Sequence, residues 1–183
     1  MHLAMLLANE VEEAEAVILV DLLRRAGIDV RTFGVGMQTV TGSHGILLGT
    51  ERVFGCAGDV PLDEFDGLLL PGGPAVKSLA TNPEVLALVR TMAEAGKLVF
   101  AICAAPYILH RAGVLHNRRF TCFPDTRDQI TSGSYDGAAV VTDGNLITSQ
   151  GVGTSIDAAL TVVARLVSPE AATELARRIL HRV

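Results

Sequence analysis

The sequence predicts an α/β protein: a mostly parallel sheet with helices on both faces. Three observations carry this. Short apolar runs of strand length alternate with longer stretches of helical period along the chain. Several strand-like runs, such as "LLLP" and "KLVFAI", are continuous in Leu, Val, Ile or Phe, as burial on both faces requires. The helical stretches close on glycine, at Gly27, Gly96 and Gly113.

Taken in order, Leu3–Ala8 is a buried strand, and "EVEEAEAVILVDLLRRAG" a helix. Its acids fall in the first turns and Arg24 and Arg25 in the last, which suits the helix dipole. "IDVRTFGV" is the next strand, and residues 38–60 are short strands joined by glycine-containing turns. "DGLLLPGG" is a strand ending in a turn, "PEVLALVRTMAEAG" a helix, "KLVFAI" a strand and "AAPYILHRAG" a helix. "RRFTCF" is a strand, and "GAAVVTDGNLITS" a strand pair turning at Asp143-Gly144. "TSIDAALTVVARLVS" and "PEAATELARRILHRV" complete the chain as helices, the last with Pro169 in its first turn. No linker, internal repeat or low-complexity segment interrupts this order, so residues 1–183 are expected to form one domain.

Composition narrows the function. The chain is 49% hydrophobic and 19% charged, with a formal net charge of −5. An acidic chain without a Lys/Arg cluster argues against a nucleic-acid surface. No run approaches the roughly 18 apolar residues of a membrane span, and the N-terminus lacks the basic flank of a signal peptide. Cys56, Cys103 and Cys122 are too few and scattered for a disulfide framework or a zinc site. A cytoplasmic protein without metal or cofactor is expected.

In parallel sheets ligands bind beyond the carboxyl ends of the strands. The strand Leu98–Ile102 ends at Cys103, and a helix-like run follows. A side chain on such a turn is presented outward, as in a nucleophile elbow. The helix start is expected to favour the thiolate. "PGG" ends another strand, and amides of Gly73 and Ala104 could form an oxyanion hole beside the sulfur, with Gly72 allowing close approach. Glu10, Glu12, Glu13 and Glu15 crowd the first helix start. Most should be solvated, and Glu15, flanked by Ala14, Ala16 and Val17, is one candidate for a buried carboxyl with a raised pKa. In "SQGVGTSIDAAL", Gly151 and Gly153 suggest close packing, perhaps against the elbow. Thr154 and Asp157 stand at capping-box spacing.

The segments "EEAEAVILVDLLRRAGIDV", "VTGSHGI", "LLLPGG", "AICAAP", "TCFPD" and "ITSQGVGTSIDAAL" together resemble the DJ-1/ThiJ/PfpI superfamily, and within it the DJ-1-like branch that includes bacterial proteins labelled ThiJ or YajL. The resemblance implies a flavodoxin-like three-layer sandwich that forms homodimers. It implies that Cys103 is the reactive cysteine, that Glu15 is its protonated partner, and that the oxyanion pocket lies near Gly73 and Ala104. It also implies a pocket bounded by Gly72, Phe123 and Thr154, with His44 approaching across the dimer interface.

Four departures stand out. Ala104 occupies the place where other branches carry a histidine. Phe123 stands where the DJ-1 protein has a pocket histidine. Glu10 replaces the glycine usual in the first loop, and residues 48–58 form a longer segment than usual.

The implied function is cysteine-dependent and cofactor-independent chemistry on α-oxoaldehydes or their protein adducts, of glyoxalase III or deglycase type. A redox-sensing stress protein or chaperone, whose cysteine oxidises to sulfinate, is the alternative. An isonitrile-hydratase-like activity is a further one. Cys56 is expected to be structural, and Cys122 to point away from Cys103.

Overall fold

A computed structural model describes residues 1–182. Its centre is a seven-stranded sheet formed by β1 (His2–Leu7), β2 (Asp29–Val35), β5 (Arg52–Phe54), β6 (Gly67–Leu70), β7 (Leu98–Ile102), β10 (Val140–Asp143) and β11 (Leu146–Ser149). The spatial order is β10-β11-β7-β6-β1-β2-β5, and every neighbouring pair is parallel except β10 with β11. All positions of β6, β7 and β11 are buried, and all of β1 except His2. This is why those segments read as unbroken apolar runs.

The helices are α1 (Glu13–Arg25), α2 (Val76–Leu79), α3 (Pro83–Glu94), α4 (Pro106–Arg111), α5 (Ser155–Leu166) and α6 (Pro169–Arg178). Helix α1 packs on α5 and α5 on α6, while α3 and α2 pack on α4. Local chemistry sets their ends. The Asn82 side chain accepts the Glu84 and Val85 N–H groups at the start of α3, and Ser168 accepts Ala171 N–H at the start of α6. Gly27, Gly96 and Gly113 follow helix ends with φ of 70–81°, a conformation glycine adopts without strain. Among the described residues no helix is long and apolar enough to cross a membrane.

Three local expectations are corrected. The hairpin loop lies one residue later than expected: Asp143 pairs with Leu146, so Gly144 and Asn145 make the turn. Asn145 then donates to the Ala93 and Lys97 carbonyls, tying the turn to the end of α3. "RRFTCF" yields only β8 (Arg119–Phe120), which pairs with β9 (Ser134–Tyr135) outside the central sheet. Its continuation fails because Phe123 gives its N–H to the Cys103 carbonyl at 2.8 Å and Pro124 begins a 3-10 turn. Lastly, Cys56 is exposed, where a structural cysteine was expected; the short turn Ala57–Asp59 that follows is closed by the Asp59 carboxylate, which accepts the Gly55 and Cys56 N–H groups.

Residues 38–60 divide as anticipated. β3 (Thr39–Thr41) and β4 (Leu47–Gly49) form an antiparallel hairpin, and β5 continues into the sheet edge beside β2. The hairpin tip lies against the loop that joins β1 to α1: Glu10 N–H donates to Thr41 O at 2.7 Å and Ser43 N–H to Val11 O at 2.9 Å. Glu10, where the resemblance implies a glycine, takes φ 68°. The loop thus keeps a glycine-like conformation with a side chain on it.

Candidate active site

Strand β1 lies between β2 and β6, so the chain leaves its end in one direction and returns on the other side. Such a point opens a crevice at the carboxyl ends of the strands. The loops after β1, β6, β7 and β11 meet there, and they bring Glu15, Gly72, Gly73, Cys103, Ala104 and Gly151 together.

Cys103 follows β7 directly and has φ 63°, a left-handed conformation uncommon outside glycine. Two hydrogen bonds fix it: its N–H donates to Ser149 O at 3.0 Å, and its carbonyl accepts Phe123 N–H. The backbone N–H groups of Gly73 and Ala104 lie on the side of the sulfur where they favour its thiolate form. Gly73 has φ 88°, and a Cβ there would stand 2.4 Å from Glu12 N. A Cβ on Gly72 would stand 2.5 Å from Cys103 Cβ. Both positions therefore exclude any side chain.

Glu15 is completely buried in the first turn of α1. Its Oε2 accepts Gly72 N–H at 2.8 Å. Its Oε1 finds no backbone or hydroxyl donor and is left to the Cys103 thiol. Burial raises its pKa to about 7, against the opposing pull of the Gly72 N–H and the thiol.

The thiol departs from the sequence-based expectation. Burial, and next the negative charge of Glu15, push Cys103 up to about 12, although the Gly73 and Ala104 amides pull it down. Helix α4 does not reverse this. It begins only at Pro106 and spans six residues, so its dipole is short. The sulfur and carboxyl thus compete for a single negative charge, and a proton on Glu15 removes the charge that disfavours the thiolate.

The remaining expected residues are more dispersed. Phe123 is 43% exposed at the mouth of the site. Its ring lies 3.6 Å from where a Gly151 Cβ would stand. Thr154 makes no side-chain cap to α5, so the expected capping box with Asp157 is absent. Its hydroxyl instead turns back to accept Gly151 N–H at 3.1 Å and lies 2.6 Å from Ser149 Oγ, while Asp157 pairs with His181. His44 lies at the hairpin tip, largely exposed, with its N–H on Glu13 Oε1 at 2.8 Å. Cys122 is fully buried, and desolvation raises its pKa to about 11.

Most acids at this helix start are expected to be solvated, yet Glu13 is buried as well as Glu15. Burial pushes its pKa up, but its own N–H, the His44 N–H and the side chains of Ser43 and His44 outweigh this and hold it at about 2. Glu12, Glu13 and His44 form the one cluster of potential metal-ligand atoms among the described residues. Ser43 and His44 already donate to the Glu13 oxygens, an arrangement that fastens the hairpin to α1. Sequence spacing held no signal for it, because the donors lie some 30 residues away.

Comparison with known proteins places this geometry. A profile described as the DJ-1/PfpI family matches residues 1–165. A protein named as a deglycase in Pyrococcus horikoshii is 34% identical over 152 residues, covering 82% of this chain and 90% of its own. One named as a glutathione-independent glyoxalase in Caenorhabditis elegans is 33% identical over 176 residues, covering 94% and 92%. Among solved structures, a cysteine-to-alanine mutant of a DJ-1 superfamily protein from Salmonella typhimurium superimposes with a TM-score of 0.93 at 37% identity, covering 100% of this chain and 99% of that one.

Proposed function

This chain belongs to the DJ-1/PfpI family, and from that premise we propose that it converts small α-oxoaldehydes, or their adducts on protein amines and thiols, through Cys103. The observation that supports this most directly is the meeting of three groups at one sulfur: the amides of Gly73 and Ala104 and the otherwise unpartnered carboxyl oxygen of Glu15. Fixed donors beside a nucleophile stabilise the charge that develops on a carbonyl oxygen under attack. The deglycase and glyoxalase names of the relatives point to the same substrate class.

In the proposed reaction the pair holds one proton, carried by Glu15 when the sulfur is anionic. The thiolate adds to the aldehyde carbon, a C–S bond forms, and the carbonyl electrons move to the oxygen held by Gly73 and Ala104. Glu15 delivers its proton to that oxygen. The aldehyde carbon then gives up its proton to the Glu15 carboxylate and its electron pair forms a double bond to the neighbouring ketone carbon; the hydroxyl proton passes to the ketone oxygen, and Glu15 returns its proton to that ketone carbon as the thioester carbonyl forms. The aldehyde is thereby oxidised to a thioester and the ketone reduced to an alcohol. Water cleaves the thioester, giving the hydroxy acid and restoring the thiol. No external oxidant or reductant enters the balance. With an adduct as substrate, the amine or thiol leaves before these steps.

A homodimer fits the surface. A groove of about 680 Å³ between α1 and the hairpin is lined by Val17, Val20 and Leu48, and Ile46 and Leu47 project from the same hairpin, 57% and 69% exposed. A face that carries both groove and knobs suits a twofold contact with a second copy. It would place His44 at the interface. Light scattering of the wild type and Leu47→Asp checks this, with a dimer that dissociates in the variant as the expected result.

Methylglyoxal turnover tests the chemistry. Turnover in the wild type and none in Cys103→Ala is expected. Absence from the wild type, or persistence in Cys103→Ala, overturns the proposal.

A further inference from the structure

Strand β11 leads through Gln150 into Gly151, which is buried beside the sulfur. Its φ of 162° and ψ of −164° describe extended backbone open to any residue. A Cβ there would point at three groups: Phe123 Cδ2 at 3.6 Å, Cys103 Sγ at 4.0 Å and Glu15 Oε1 at 4.0 Å. These are ordinary van der Waals distances. Gly151 therefore differs from Gly72 and Gly73, where a Cβ would collide at 2.4–2.5 Å. Neither backbone conformation nor crowding demands glycine at 151. Its missing side chain leaves a methyl-sized gap between the sulfur, the carboxyl and an aromatic ring.

The surroundings make the gap a fixed one. Thr154 Oγ1 accepts Gly151 N–H and lies 2.9 Å from Gly151 O, and Ser149 Oγ braces Thr154. Phe123, whose ring faces Gly151, and Val152, the next residue in the chain, are both large, apolar and 43–45% exposed.

We propose that Gly151 is the specificity-determining residue of the site. The gap receives the small apolar group carried by the carbon next to the attacked aldehyde, and Phe123 and Val152 form an apolar lip over it. The favoured substrates are α-oxoaldehydes with a compact apolar substituent, ahead of those carrying a charged one. This rests on the carbonyl reading above, and deepens it.

The test is to measure kcat/KM for glyoxal, methylglyoxal and phenylglyoxal with the wild type, Gly151→Ala and Phe123→Ala. In parallel, the alkylation rate of Cys103 is measured with iodoacetamide and with a bulkier haloacetamide, by mass spectrometry. Gly151→Ala should lower the methylglyoxal-to-glyoxal ratio roughly tenfold or more, the scale set by excluding one methyl group from a pocket. It should also slow the bulky reagent more than the small one. Phe123→Ala, an exposed substitution compatible with folding, should reduce phenylglyoxal turnover more than glyoxal turnover. A uniform drop across substrates and reagents, or no change, overturns the inference. If the wild type turns over none of the three, the carbonyl reading fails, while the alkylation ratios still decide whether Gly151 sets access to the sulfur.

Discussion

Glu13 and Glu15 stand two residues apart in the first turn of α1, and both are buried. Their fates are opposite. Glu13 collects several donors from its own helix and the hairpin tip and is held at about 2. Glu15 receives one backbone N–H, from Gly72, faces a thiol, and rises to about 7. Burial penalises both carboxylates, and more heavily at the deeper Glu15, but burial alone does not give the two shifts opposite signs. The supply of donors does. The well-supplied carboxylate holds the structure together, and the under-supplied one keeps an oxygen free for chemistry.

Substitution should split the two most sharply. Glu15→Gln keeps the shape and removes the proton carrier, so kcat/KM for methylglyoxal should fall by about 10²–10⁴. Glu13→Gln should leave most of it. Equal losses would mean that the carboxyls act as one electrostatic unit and the comparison fails. Wild-type kcat/KM should rise with pH through an apparent value near 7 and then level off. The pair must lose one proton to hold a thiolate, and above that point the singly charged state dominates up to the range of the second loss, about 12. A profile still climbing steeply from pH 8 to 10 would detach the reaction from Glu15.

Stability should also respond in opposite senses. Because the folded pKa of Glu15 lies above its ordinary 4.5, the native state retains a proton that the unfolded chain has released. Stability therefore falls as pH rises from about 4.5 through about 7, by on the order of 3 kcal/mol from this group. Denaturant unfolding at pH 5 and pH 8 should show the drop in the wild type and lose it in Glu15→Gln. Glu13 has the reverse sign: its folded value is depressed, so its contribution is present above about 4.5 and lost as pH falls towards about 2. Acid titration of the unfolding midpoint, wild type against Glu13→Gln, isolates it.

A smaller effect sharpens the picture of the clamp. A Cβ on Gly42 would stand 2.5 Å from Glu13 Cδ. Gly42→Ala should therefore displace the carboxylate, cost about 1–3 kcal/mol, and speed amide exchange at His44, whose N–H rests on Glu13. Unchanged exchange would show that the tip is held by its backbone bonds instead.

Much of the fold was legible because its signals are local. Apolar runs marked β1, β6 and β7, and glycine stops marked the ends of α1, α3 and α4. The misreadings arose where distant partners decide. The strand expected at 118–123 stops early because Phe123 N–H goes to Cys103 O. Thr154 leaves its capping place because Ser149 and Gly151 offer it partners. The glutamates could not be ranked by spacing, since the choice depends on Gly72, 57 residues away, and the family resemblance supplied it. The thiol was read as acidic because a following helix is visible in sequence. The burial and neighbouring carboxyl that oppose the thiolate are visible only in three dimensions.

The left-handed backbone at Cys103 has a consequence for how such a chain can drift. Glycine would occupy φ 63° without the roughly 1–2 kcal/mol that a side chain incurs there, against about 0.5–1 kcal/mol for its looser unfolded state. Replacing the cysteine by glycine should thus leave the fold at least as stable, whereas alanine keeps the strain. Selection acting on folding alone offers no barrier to erasing this thiol. On the proposed function, a sulfur that persists on such a turn is maintained by its reactivity, and relaxed need for that reactivity should show first as glycine at this position.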